Sequence, residues 1–157
     1  MPWWTAVPPW ADTLTFERHR AVIHPHFTVA HACVLVAALL PLACAALAKW
    51  GMFKVPRKEG GYDNHLPRAW LARQTDWRAR ANAAQANSFE VLPFFIGAVV
   101  IAFQLQAPQL KLDVLSLLFV FTRIVYIFLY VADLATARSV AWTVGLVINI
   151  AILFLGA

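Results

Sequence analysis

Charge is scarce in this sequence. Thirteen Lys and Arg and eight Asp and Glu make up 13% of 157 residues, against 61% hydrophobic. A soluble domain carries about a quarter charged residues and is about half apolar. The mean hydropathy of +0.64 points the same way. These proportions predict an integral membrane protein of one domain. Cysteine is also scarce. Cys33 and Cys44 are 11 positions apart in one apolar stretch, roughly 16 Å along a helix, too far for an intrahelical disulfide. They are expected to be small buried packing residues. No internal repeat or low-complexity segment is present. The N-terminus MPWWTAVPPWADTLTFERHR has no basic start followed by an apolar run. No cleavable signal peptide is therefore expected, and the first spanning helix should serve as the insertion signal.

The apolar residues fall into four stretches, each long enough to cross a bilayer, which takes about 20 residues. They predict helices over about 27–50, 80–106, 112–132 and 139–156, an all-α four-helix membrane bundle preceded by an arm at 1–26. Pro41 and Pro93 fall inside the first two helices and should bend them. The later connections are short, so helices two to four should run up and down as neighbours.

The formal charge of +5 is unevenly placed. Lys49, Lys54, Arg57, Lys58, Arg68, Arg73, Arg78 and Arg80 lie in or beside the first loop, 51–79, and only Lys111 lies in the second. A nucleic-acid partner is not implied, because these residues adjoin membrane segments. The positive-inside rule predicts a cytoplasmic first loop, with both termini on the opposite side. Within that loop Trp70 and Trp77 are seven apart, a spacing that would put both indoles on one face of a helix. An interfacial helix on anionic headgroups and a basic lip for an anionic substrate are both compatible with it. The arm carries Trp3, Trp4 and Trp10 and, with the start of the first helix, His19, His24, His26 and His31. No metal-ligand spacing is recognisable there, so no metal is expected.

The few polar residues inside the apolar stretches are the informative ones, because ionisable groups at membrane depth are costly and mark functional sites. On the second stretch Arg80, Asn87 and Glu90 share one helical face, with Asn82, Gln85 and Phe89 on another. Small residues lie between them: Ala79, Ala81, Ala83, Ala84, Ala86 and Ser88. Small residues let membrane helices approach and amides bridge them, so this helix is expected at the centre of an oligomer. On the third stretch Arg123, Tyr126 and Tyr130 share a face. Counted from the cytoplasmic ends of their helices, Glu90 and Arg123 lie about 13–15 Å deep, so a direct ion pair between them is expected. It would serve as a structural clamp or as a polar site in which Arg123 holds an anion.

At these residues the sequence resembles the MAPEG family, the membrane-associated proteins of eicosanoid and glutathione metabolism. The matching positions are Arg80, Gln85, Asn87, Glu90 and Pro93, then Arg123, Tyr126 and Tyr130, then Arg138, within a match over roughly 28–157. The resemblance implies four transmembrane helices, a homotrimer, and glutathione bound between subunits near the cytoplasmic face. It implies glutathione-dependent transferase or peroxidase chemistry on a lipophilic electrophile, with Arg80, Asn87, Glu90, Arg123, Tyr126 and Tyr130 as glutathione contacts. Arg138 and Arg123 would be catalytic, Arg138 by favouring the thiolate. The chain departs from the pattern at Ala83, where eicosanoid enzymes carry a glutathione-gripping arginine. It departs again in the Tyr130–Arg138 spacing, by about one residue. Those departures, and the aromatic arm, keep a second reading open: a non-catalytic scaffold or accessory subunit with a membrane protein partner. A small transporter is less favoured, because no repeated halves or paired broken helices are present.

Overall fold

The computed structural model describes residues 27–157. Trp3, Trp4, Trp10, His19, His24 and His26 of the arm lie outside the described residues. Four long helices dominate: α1 Val29–Ala48, α3 Trp77–Gln104, α4 Gln109–Val131 and α5 Ala135–Leu153. A short α2, Pro67–Ala72, lies in the first loop. All four long helices are apolar enough to span a bilayer, so the chain is an all-α, multi-pass membrane protein.

The helices pack through small residues. Ala30, Cys33, Ala37, Pro41, Cys44 and Ala48 form the buried stripe of α1, and Ala98, Val99 and Ala102 of α3 lie in the same core. Both cysteines are free and buried. Larger groups fill the middle, where Phe95 and Phe119 stack at 4.1 Å. By contrast Leu35, Leu39 and Leu42 on α1 and Phe121 and Phe128 on α4 are exposed, as a lipid-covered surface requires. The Asp113 carboxylate reaches across from α4 and accepts a 2.8 Å hydrogen bond from Ala30 N, one of the orphan N–H groups that open α1.

Helix ends differ from the sequence expectations by one to four residues, and at two of them for a definable reason. Gln106 has φ 56° and Asp133 has φ 64°. Each ends its helix in a left-handed residue closed by a paired hydrogen bond: Ala107 N to Ala102 O and Gln106 N to Phe103 O, Leu134 N to Leu129 O and Asp133 N to Tyr130 O. This is the geometry usually signalled by glycine. Glycine is missing at both positions, so the stops are not visible in the sequence. The α4–α5 turn is consequently shorter than expected, and α5 begins at Ala135 rather than 139.

The first loop is ordered by aromatic contacts. Trp70 is buried and its Nε1–H donates to Gly60 O at 3.0 Å. Tyr62 meets Trp70 edge-on at 5.2 Å and Phe53 at 5.0 Å, while the Lys49 ammonium lies over the Tyr62 ring. Gly61 is required by close approach, because a Cβ there would sit 1.9 Å from Val55 O. The expectation of Trp70 and Trp77 on one helical face is not met. α2 ends at Ala72, and Asp76 caps a separate helix, α3, by accepting from Arg78 N at 2.9 Å. Partial burial works against the Asp76 charge, yet the Arg78 N–H and guanidinium outweigh it and hold the carboxyl below its usual range.

Candidate functional site

The site forms where α3, α4 and α5 meet toward the first-loop end of the bundle. α4 supplies Arg123, Tyr126 and Tyr130 along one stripe, and its wide apolar remainder keeps that stripe turned inward. Arg123 and Tyr126 are buried, Tyr130 half-buried. The Arg123 guanidinium lies 4.1 Å over the Tyr126 ring. Tyr126 meets Tyr130 edge-on at 5.6 Å, and the Arg138 guanidinium lies 4.2 Å over the Tyr130 ring. Two cations and two ring faces thus alternate along the α4–α5 seam, each cation against the negative face of a ring.

α3 adds the polar bridge. Arg123 Nη2 donates to Asn87 Oδ1 at 2.8 Å, and Asn87 Nδ2 donates to Glu90 Oε2 at 3.1 Å. The expected direct ion pair is therefore replaced by a relay. Both poles of the Asn87 amide are used, its oxygen toward the cation and its NH2 toward the carboxylate. Ion pairs among the described residues lie elsewhere, at Arg57–Asp63, Arg78–Asp76 and Arg80–Asp133. The physical reason is one of reach. Asn87 is one helical turn before Glu90 on the same face, and it intercepts the guanidinium. Glu90 is left exposed on the surface of the single chain, within a membrane-spanning helix.

A cleft of about 260 Å³ opens beside this stack, lined by Asn87, Tyr126, Tyr130, Arg138, Ser139, Trp142 and Thr143. Four predicted site residues, Asn87, Tyr126, Tyr130 and Arg138, therefore share one wall. Arg123 and Glu90 connect to it through Asn87. Arg80 does not line it. Its Nε donates to Val131 O at 3.1 Å and its Nη1 lies 3.6 Å from Asp133 Oδ2, so it holds the α4–α5 turn. Ser139, Trp142 and Thr143 were not singled out in the sequence. Their signal is Ser139 and Thr143 at i, i+4 on an apolar helix, with Trp142 one turn beyond Arg138. Both hydroxyls bond back to the helix, Ser139 Oγ to Ala135 O and Thr143 Oγ1 to Ser139 O. Each hydroxyl oxygen keeps its acceptor capacity.

This arrangement can bind an anion beside a guanidinium that is not otherwise engaged. Among the described residues the Arg138 guanidinium has no hydrogen-bond or ion-pair partner; the Tyr130 ring alone places it. Compared with known proteins, residues 29–157 match the model of the MAPEG family. No curated protein and no solved structure matches the chain.

Proposed function

The chain belongs to the MAPEG family, and from that premise we propose a membrane-embedded, glutathione-dependent transferase or peroxidase acting on lipophilic electrophiles. The observation that carries this reading is the unengaged Arg138 guanidinium on the wall of a polar cleft between helices long and apolar enough to span a bilayer. A cationic group at that position favours the thiolate of a bound thiol, and the thiolate is the nucleophile. In the transferase reaction the sulfur forms a bond to an electrophilic carbon while the leaving group departs with its electron pair. The thiol proton is released to solvent. The protein supplies no nucleophile, only orientation and charge stabilisation.

Asn87, Tyr126, Tyr130 and Arg138 contact glutathione from one chain in this reading. Glu90 and Arg123 complete the polar layer, and Arg80 acts through the turn it holds. A carboxylate exposed at membrane depth needs a cover. The exposed Glu90 therefore supports a homotrimer in which a second copy closes the site. The basic first loop supports a cleft mouth on the cytoplasmic side, by the positive-inside rule.

Calorimetric titration of glutathione into detergent-purified protein tests the proposal, with Arg123→Ala as control. Saturable binding to wild type only is expected. Equal binding to both would remove Arg123 from the site, and binding to neither would remove glutathione from the function. One observation favours a second reading, that of a non-catalytic scaffold or accessory subunit. Ala83 offers no cation where related enzymes grip glutathione, and Arg80 is already engaged. A partner protein retained through gentle purification, together with no turnover of a model electrophile, would select that reading.

A further inference from the structure

At the end of the bundle away from the cleft, the start of α4 and the residues after α5 form an open groove of about 350 Å³. It is lined by Leu110, Lys111, Val114, Leu115 and Leu155. The four α4 residues fall at relative positions 0, 1, 4 and 5, one strip of the helix. Leu115 and Leu155 pack against the core, while Leu110 and Val114 are exposed. The lining is wholly apolar, so Lys111 contributes its aliphatic stem and its ammonium lies outside the groove. The α5 side is fixed by close approach at Gly156. A Cβ there would sit 2.6 Å from Leu105 Cβ, so the chain beside Leu155 lies tight against the end of α3.

The walls alone select nothing. Lipid tails are as apolar as leucine, so the chain of any lipid can fill such a groove. The charge beside it does select. Lys111 lies in the first turn of a helix long and apolar enough to span a bilayer, which puts it at the boundary of acyl chains and headgroups. There a lysine stem follows apolar surface while its ammonium turns to the polar layer. Among the described residues Lys111 has no hydrogen-bond or ion-pair partner. The carboxylate nearby in sequence is Asp113, and its Oδ1 already accepts from Ala30 N and Gln109 Nε2, each at 2.8 Å. Among the described residues Asp113 is the one acidic side chain at this end of the bundle. A second copy of the chain packed here side by side would therefore bring no free carboxylate to the ammonium. A lipid phosphate supplies the missing anion at the level where Lys111 stands.

We infer that this groove binds an anionic phospholipid, with one acyl chain along Leu110, Val114, Leu115 and Leu155 and the headgroup phosphate on the Lys111 ammonium. Lys111 and Tyr130 stand at opposite ends of α4, roughly 28 Å apart along the helix. The lipid therefore sits in the leaflet opposite the first loop and is separate from the cleft. That separation exceeds the screening length of about 8 Å at physiological salt, so the basic first loop does not provide the attraction. The site is independent of the thiol chemistry proposed above.

Photo-crosslinking in reconstituted bilayers tests the inference. The probes are phosphatidylglycerol and phosphatidylcholine carrying the same photoreactive acyl chain, and labelled residues are mapped by mass spectrometry. In wild type, labelling of Val114, Leu115 and Leu155 by the phosphatidylglycerol probe should exceed that by the phosphatidylcholine probe about fivefold. That is the preference one basic side chain near the membrane surface provides. Lys111→Gln should bring the two probes level, and Lys111→Arg should keep the preference. Val114→Trp, at an exposed position, fills the groove and should lower labelling by both. Equal labelling of wild type by the two probes would reduce the groove to a surface that any lipid covers, and overturns the inference. A preference that survives Lys111→Gln overturns it as well, because the anion is then held elsewhere. So does an absence of label at all three residues accompanied by crosslinks between copies of the chain, which would show a neighbouring subunit in the groove.

Discussion

Arg123 and Arg138 each lie over a tyrosine ring, at 4.1 Å from Tyr126 and 4.2 Å from Tyr130, yet their surroundings are opposite. Arg123 is buried and bound through Asn87 to Glu90. Arg138 is half-buried, in the first turn of α5, and rests on its ring alone. A cation in the first turn of a helix opposes the helix dipole, so α5 does not itself stabilise the charge. The same pairing of cation and ring thus serves two ends. A guanidinium whose donors are taken up by protein defines geometry, and one whose donors are free can turn to a ligand.

The largest effect is expected at the buried member. Arg123→Ala leaves the half-buried Asn87 Oδ1 without its charged donor, a loss of about 1.5–3 kcal/mol, and an anionic ligand loses the nearby positive charge as well. Glutathione affinity should fall by about 100-fold or more, read by titration. Arg138→Ala should behave differently. Turnover of a model electrophile should fall about 100-fold, the scale of losing one stabilising donor at a developing charge, while glutathione affinity changes little. Equal losses of affinity in the two variants would dissolve the distinction between them.

A smaller effect separates the ring from its hydroxyl. Tyr130→Phe keeps the face under Arg138 and should leave turnover close to wild type. Tyr130→Leu removes the face. A half-exposed cation–π contact contributes about 0.5–1 kcal/mol, so turnover should fall about 2- to 5-fold. If Phe is as impaired as Leu, the hydroxyl contacts the ligand, and Tyr130 is more than a platform.

How much of this was legible in the sequence differs between the same two regions. The four spans, the buried cysteines and the inward stripe Arg123–Tyr126–Tyr130 follow from hydropathy and helical period, which packing obeys closely in a membrane. The Arg123–Asn87–Glu90 relay was legible only as a shared depth. Equal depth does not say which of two side chains one turn apart will intercept a guanidinium. The seven-residue spacing of Trp70 and Trp77 misleads because it assumes one continuous helix, whereas Asp76 starts a new one and Gly60 O takes the Trp70 indole N–H. Arg80 shares a helical face with Asn87 and Glu90 in the sequence, but its partners, a carbonyl and a carboxylate at a turn with no glycine signal, are not legible there.

That turn carries the smallest and most discriminating prediction. Asp133 holds φ 64°, and a non-glycine residue there costs roughly 1 kcal/mol. Against this stands the Arg80–Asp133 pair at 3.6 Å, in which the Asp133 side chain is 71% exposed. Exposed pairs contribute about 0–1 kcal/mol, and solvent screening puts this one at the low end. Asp133→Gly removes the strain and the pair together, but Arg80 keeps its bond to Val131 O. Relief of strain should win, raising the midpoint of thermal unfolding by about 1–3 °C with turnover unchanged. A lowered midpoint with reduced turnover would reverse the ranking. The carboxylate would then be the main tether of the turn, and Arg138 would owe its position to Arg80 as much as to the ring beneath it.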